Sequence, residues 1–380
     1  MKRVLLMVPS LNMGGMERML VNVANVLVKQ GNEVTVLNLT GDDKAITERL
    51  DKRVNYQKNV VPVKFFLHAT MKDFWHRNIR LLPYKYWTKV HSAKYLHKKY
   101  IREVYDTEIA FYTGYCVKIV DGCPRNTKKI FWLHGEAWLM DGMIQGYWTQ
   151  KKADKVYKNY NQIVCVSNRI EKDFYQRFGK DCNVTTITNI NDIEMIKEKA
   201  KMSRTIRKNR FTFVLVGRVD NEHKGFDRVL QATEQLNEDG YVFDVWVVGD
   251  GIDFEKLEEQ KKKLKLDNVT LWGMQDNPYK FIKAADVFVC SSHYEGYGLV
   301  VAESLILEKS VISTNVSGPA EILNHGKYGM VVDNSTGGIY QGMKAFLENP
   351  ELTVEYEKRA KKRKEYFDPE KIGKEIQKIL

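Results

Sequence analysis

Short apolar runs rich in Val, Ile, Leu and Phe recur along the chain with Gly, Asn or Asp near their ends, and between them apolar positions return at the spacing of a helix face. The runs fall at residues 4–8, 34–38, 108–112, 129–133, 162–166 and 184–187, and again at 212–216, 243–248, 269–272, 287–290, 310–313 and 329–332. Runs of this length alternating with helical patterns predict βαβ units on parallel sheets, an α/β fold. The polar stretch 192–210, with Lys197, Lys199, Lys201, Arg204, Arg207, Lys208 and Arg210, interrupts the rhythm and reads as a helix and linker. It divides the chain into a Rossmann-like domain over 1–195 and a second over 196–366. Past Pro350, a charged helical run over 351–366 reaches Asp368-Pro369, and an amphipathic helix over 370–380 follows. Two such domains are expected to face each other across a cleft, and ligands of such sheets bind beyond the carboxyl ends of the strands. Chemistry should therefore lie just after the runs.

Composition agrees with this picture. The chain has 380 residues, 43% hydrophobic and 28% charged, which suits two globular domains and excludes a low-complexity or collagenous polypeptide. Its cysteines, Cys116, Cys123, Cys165, Cys182 and Cys290, are odd in number, and none are paired as Cys-x-x-Cys; this points to a reducing, cytoplasmic setting without a structural metal. The apolar run after Met1-Lys2-Arg3 stops at Pro9, too short for the h-region of a signal peptide. No stretch approaches the roughly 18 apolar residues that cross a bilayer, so membrane contact is expected to be peripheral.

The net charge of +12 is unevenly placed. Between residues 64 and 102 stand ten Lys/Arg against one acid, Asp73, a net +9, with nine aromatics: Phe65, Phe66, Phe74, Trp75, Tyr84, Tyr86, Trp87, Tyr95 and Tyr100. The rest of the chain is near neutral, which argues against a nucleic-acid partner. The window reads either as a solvated pair of helices broken at Pro83 or as an interfacial surface, its aromatics entering headgroups and its cations meeting anionic lipid. The charge favours the second reading, with Trp75, Lys85, Trp87 and Lys89 as candidate contacts. A polyanionic saccharide acceptor would use the same surface. His68, His76, His91 and His97 in and around this window read as surface groups.

Four segments carry candidate chemistry. Gly14 and Gly15 sit at the first strand-to-helix turn, where backbone N–H groups can approach an anion; a tight turn alone also needs such glycines. The segment lacks G-x-G-x-x-G, which counts against a nicotinamide dehydrogenase. In the second half the run 212–216 ends in Gly217-Arg218 and Lys224-Gly225 opens the next helix, and an Arg fork with a Lys point charge six residues on suits one diphosphate. Gly249-Asp250-Gly251 ends the next strand in a turn open to backbone contact. The segment 291–304 runs from a buried strand through Glu295, Gly296, Tyr297 and Gly298 into an apolar helix at Leu299 that contains Glu303. Its helix N-terminus suits a phosphate. The two carboxylates can accept hydroxyl bonds from different parts of one long ligand, although Glu303 alone also fits an acid favoured by the helix dipole.

These residues resemble the retaining, nucleotide-sugar-dependent glycosyltransferases of family 4, which have the GT-B fold. Glu295 to Glu303 matches that family's E-x7-E motif, and Gly217-Arg218 with Lys224-Gly225 matches its diphosphate-binding pair. The resemblance is strongest over 212–332, including Ser317-Gly318-Pro319-Ala320-Glu321, and Gly14-Gly15 matches the family's amino-terminal glycine loop. It departs at 188–192, where the family often has a proline and a glycine around the asparagine.

The resemblance implies transfer of a sugar with retention of configuration from a nucleoside diphosphate sugar, expected to be a UDP-sugar, to a lipid-linked saccharide in surface-polysaccharide assembly. It implies catalytic roles for Arg218, Lys224, Glu295 and His134, the last contacting the transferred sugar, and an acceptor contact for Glu136. Donor contacts are implied for Gly14, Gly15, Gly217, Gly249, Gly296, Tyr297, Gly298, Leu299 and Glu303. The helix over 367–380 would cross back to the first domain. No cofactor is expected, and the absence of Asp-x-Asp from the chain leaves no evident site for a divalent metal. The expected location is cytoplasmic, peripheral to the inner face of the membrane. Two rivals remain at this point: a GT-B-fold nucleotide-sugar epimerase, and a non-catalytic basic membrane adaptor.

Overall fold

The computed structural model of the chain describes residues 1–12, 14–58, 88–135 and 146–380. They form two units, Met1–Ile190 with Pro369–Leu380, and Asn191–Asp368. Among the described residues, the first unit holds a seven-stranded sheet in the order β3-β2-β1-β4-β5-β6-β7, and the second a six-stranded sheet in the order β10-β9-β8-β11-β12-β13. The strands of the first are β1 Arg3–Val8, β2 Glu33–Asn38, β3 Asn55–Lys58, β4 Thr107–Ala110, β5 Lys128–Leu133, β6 Gln162–Cys165 and β7 Val184–Thr186. Those of the second are β8 Thr212–Val216, β9 Asp244–Val248, β10 Val269–Leu271, β11 Val287–Cys290, β12 Ser310–Thr314 and β13 Met330–Val332. Neighbouring strands run parallel throughout.

Helices cover both faces of a parallel sheet, so its central strands are apolar without alternation. In β1, Val4 to Val8 are all buried, and β11 is buried along its whole length. In the second unit Phe213, Leu215, Val245, Val247, Val287 and Val289 form one core with Val229, Leu230 and Leu236 of the helix Phe226–Glu238. The apolar positions that announced that helix are therefore its buried face.

β3 has no apolar run; its Asn-Tyr-Gln-Lys sequence stands at the sheet edge. The last helix, Pro369–Ile379, belongs to the first unit, where Ile372, Gly373 and Ile376 are buried. A side chain at Gly373 would collide with Val26 of the helix Gly15–Lys29, so glycine permits the two helices to approach closely. Asn32 Nδ2 donates to Gln377 Oε1 at 2.6 Å, and Thr107 Oγ1 donates to the Leu380 carbonyl at 3.2 Å. Among the described residues no helix is long and apolar enough to cross a membrane.

One expectation from the sequence is corrected. His97 is not a surface group but is buried on the inner face of the helix Ala93–Tyr100 beside Leu96 and Tyr100, with Nε2 2.9 Å from both carboxylate oxygens of Glu108. Helical spacing puts residues 96, 97 and 100 on one face, and the buried Glu108 on β4 needs a partner.

Candidate active site

In the second sheet the chain leaves β8 toward β9 on one side, while β11 on its other side leads on to β12. Connections that diverge in this way leave a crevice at the carboxyl ends of the two adjacent strands. The loops after β8 and β11 meet there. Ser291 Oγ donates to the Lys224 carbonyl at 2.8 Å, and His293 N–H to the His223 carbonyl at 2.8 Å. Gly225 joins the short helix Asn221–Lys224 to the helix Phe226–Glu238 at φ +59°, and a Cβ there would lie 2.6 Å from the Ser291 carbonyl. Positive φ and the close strand loop both require glycine at this position.

Glycines also let the backbones of neighbouring strand ends pack directly. A side chain on Gly249, at φ +139°, would collide with the Gly217 carbonyl. Gly217 N–H donates to the Val248 carbonyl at 3.0 Å and Gly249 N–H to that of Gly273 at 2.8 Å. The ends of β8 and β9 thus meet as bare backbone, and Arg218 follows Gly217 directly in the chain.

Arg218 is exposed and has no ion-pair partner among the described residues. Lys224 is ion-paired through Nζ to Glu295 Oε2. Burial presses the Lys224 pKa down, but the Glu295 carboxylate overrides it and holds the ammonium above its ordinary range; Arg218 is close enough to act in the opposite sense. The Glu295 carbonyl accepts from Gly318 N–H at 3.1 Å, which ties its loop to the helix Ser317–Ile322.

Gly298, at φ +89°, caps the helix Leu299–Ile306. It frees the first N–H groups of that helix, the natural seat of an anion. The side chain of Glu303, on the second turn, is buried and accepts a hydrogen bond from the Tyr279 hydroxyl at 3.1 Å. The Tyr297 ring is buried, with its hydroxyl bonded to the Asn191 side chain and its pKa driven far up by burial. Its side chain therefore supports the loop, and Tyr297 can meet a ligand through its backbone.

Arg218, Lys224, Glu295, Gly217, Gly249, Gly296, Gly298 and Leu299 all belong to this crevice and the loops around it. Sequence reasoning missed Arg228, Asn334 and Tyr279. Arg228 is buried beneath the loop; it donates to the Ser291 carbonyl and, at 2.9 Å, to Asn334 Oδ1, and Asn334 Nδ2 in turn donates to the His293 carbonyl at 3.1 Å. Burial, then the Arg228 charge, lowers the His293 pKa. An arginine on a helix is in sequence indistinguishable from a solvated one, and Tyr279 reads as a core aromatic.

In the first unit Gly14 is extended and caps the helix Gly15–Lys29 after β1. His134 follows β5, stacked with Trp132 at 6.5 Å between ring centres and tilted against Phe111 at 4.7 Å. Burial brings its pKa down to about 3, partly offset by a hydrogen bond to the Phe111 backbone. Its Nε2 is buried without a partner among the described residues. The Phe111 bond therefore uses Nδ1 and leaves Nε2 of a neutral imidazole free to accept. Glu136, Trp75, Lys85 and Trp87 lie outside the described residues. Lys89 is described: its ammonium sits 5.5 Å from the exposed Trp148 ring, near exposed Val90 and Tyr95.

Residues 13–194 match the family Glycosyltransferase Family 4, and residues 196–363 match Glycosyl transferases group 1. The N-acetylgalactosamine-N,N'-diacetylbacillosaminyl-diphospho-undecaprenol 4-alpha-N-acetylgalactosaminyltransferase of Campylobacter jejuni is 30% identical over 55% of this chain and 57% of its own length. The chain thus spans little more than half of that relative. An uncharacterized glycosyltransferase of Haemophilus influenzae is 23% identical over 97% of this chain and 96% of its own. Among solved structures, HepE of Anabaena in complex with UDP and glucose has a TM-score of 0.75 at 17% identity, covering 100% of this chain and 99% of that one.

Proposed function

Because the chain belongs to the GT-B glycosyltransferases, its first half matching family 4 and its second half group 1, we propose that it moves a sugar from a UDP-sugar to a lipid-linked saccharide with retention of configuration and without a divalent metal. The carrying observation is the crevice at β8 and β11, where the Lys224–Glu295 pair joins the two loops and Arg218 follows Gly217 at the end of β8. In the reaction the bond from the anomeric carbon to the diphosphate breaks, and a bond to the acceptor hydroxyl forms on the same face. Negative charge grows on the leaving diphosphate while the anomeric carbon becomes cationic. Arg218, Lys224 and the N–H groups at Gly298 and Leu299 stabilise the first charge, and such donors act most strongly where water is scarce. Glu295 accepts from sugar hydroxyls, Glu303 holds the ribose, and the leaving phosphate takes the acceptor's proton.

On the first unit the proposal keeps a sugar contact for His134, whose free Nε2 suits a hydroxyl donor, and a diphosphate contact for Gly14 and Gly15. A UDP donor is supported by the UDP held in the Anabaena structure, and a lipid-linked acceptor by the diphospho-undecaprenol in the name of the Campylobacter relative. Peripheral attachment to an anionic membrane is supported by Lys89 beside exposed Trp148, with Val90 and Tyr95 also exposed, which brings one cation and apolar surface together.

The test is incubation of the full chain with UDP-sugars, with and without an undecaprenyl-diphosphate-linked saccharide. UDP release should rise with the acceptor, whose mass should grow by one sugar in an axial or equatorial linkage matching the donor. A donor sugar inverted at a ring carbon with no acceptor present would mark an epimerase instead.

A further inference from the structure

A second hollow of about 540 Å³ opens on the unit Asn191–Asp368, at the opposite end of the helix Leu299–Ile306 from Gly298. At about 1.5 Å per residue that helix sets the two places roughly 12 Å apart. Lys197, Lys201, Arg204 and Lys283 line the hollow, with Glu308 the single acid among its lining residues. None of the four cations has an ion-pair partner among the described residues. A smaller hollow beside it shares Lys197 and Glu308 and adds Lys361 and Lys364.

Like charges converging on one concavity repel each other, and an anion held there relieves that repulsion. Glu308 and the roughly half-unit negative charge of the helix end do not offset four cations, and Lys283 Nζ already donates to the Leu307 carbonyl at 3.1 Å. The frame is fixed as well. The helix Ile193–Ala200 and the single turn Lys201–Thr205 pack on the helix Tyr279–Ala284, and Asn277 Nδ2 donates to the Lys199 carbonyl at 3.0 Å. Ala200, Ile306 and Leu307 supply an apolar floor between the charges.

We propose that this hollow binds a phosphate-bearing anion, independently of the donor crevice. One carboxylate would engage the Arg204 fork and leave three ammonium groups unmatched. A ligand with more than one anionic oxygen cluster, a diphosphate or a phosphate with a compact body, matches both the spread of charge and a volume typical of small-molecule sites. The phosphate comes either from a soluble metabolite or from a lipid headgroup.

The test uses the full chain and two probes. In calorimetric titration with inorganic pyrophosphate at low ionic strength, where exposed charges are least screened, binding should persist in the double variant Arg218→Ala/Lys224→Ala. It should weaken roughly tenfold or more when Lys201→Glu/Arg204→Glu is added, because two attractions become repulsions. Circular dichroism checks that the fold is kept, and Lys201→Ala/Arg204→Ala should give a smaller loss in the same direction. The second arm is sedimentation with vesicles of phosphatidylglycerol. Release of the charge-reversed protein assigns a headgroup, and unchanged vesicle binding with lost pyrophosphate binding assigns a soluble ligand. Pyrophosphate affinity unaffected by charge reversal, or absent from Arg218→Ala/Lys224→Ala, overturns the proposal.

Discussion

The ammonium of Lys224 is ion-paired to the carboxylate of Glu295, 71 residues further along the chain. The pair closes one loop of β8 against one loop of β11 and holds a cation at the place proposed for the diphosphate. It also joins two proposed roles, phosphate contact and sugar contact, in a single interaction.

The pair has a pH signature. Lys224 titrates above its ordinary 10.5 because of Glu295, so the protonated form is favoured in the folded state. Stability from this source is fully present below the unfolded value and lost as pH rises through the folded one. Urea midpoints of the native chain and of Glu295→Gln should therefore differ at about pH 8, and the difference should shrink as pH rises beyond the ordinary lysine value of 10.5. A difference that stays constant over that range would show that Lys224 does not carry it.

The two glutamates should separate kinetically. Glu303, buried and bonded to Tyr279, is placed to grip the ribose in ground and transition states alike, so Glu303→Gln should chiefly raise the donor KM. Tyr279→Phe should move KM in the same direction by less, since it removes one hydrogen bond of roughly 1 kcal/mol. Glu295→Gln should act mainly on kcat. The reverse pattern would mean that the carboxylates address opposite ends of the donor.

His134 makes the fold sensitive to acid. Its pKa falls to about 3 on folding, from an ordinary 6.5. The unfolded chain therefore binds a proton that the native chain refuses as pH drops below about 6.5, and stability is lost at up to about 1.4 kcal/mol per pH unit. From pH 7 to pH 5 the native chain should lose stability more steeply than His134→Gln. Equal slopes would place the acid sensitivity elsewhere.

Activity should survive removal of divalent metal. No Asp-x-Asp occurs in the chain, and Arg218 and Lys224 supply the positive charge that a metal would otherwise bring. Loss of transfer on chelation, restored by Mg²⁺ or Mn²⁺, would contradict this.

Much of this architecture was legible in the sequence because parallel strands buried on both faces leave unbroken apolar runs, as in residues 4–8 and 287–290. β3 left no such run because an edge strand of Asn, Tyr, Gln and Lys buries little. Glycines marked the strand ends, where the backbones of Gly217 and Gly249 touch and where Gly298 takes a positive φ against the Pro319 side chain. The supports of the crevice carried no sequence signal, since what distinguishes Arg228 from a solvated arginine is its burial against Ser291 and Asn334. His97 reads as a surface group in the sequence for the same reason: its partner Glu108 is on another element.

The most direct test of the account is the turnover of Arg218→Ala and Lys224→Ala, followed as acceptor-dependent UDP release with the fold checked by circular dichroism. Both variants should remain folded and lose roughly 100-fold or more in kcat, as removal of one charge-stabilising donor typically causes. Near-native kcat in both would contradict the assignment of the crevice at β8 and β11 as the place where the diphosphate leaves.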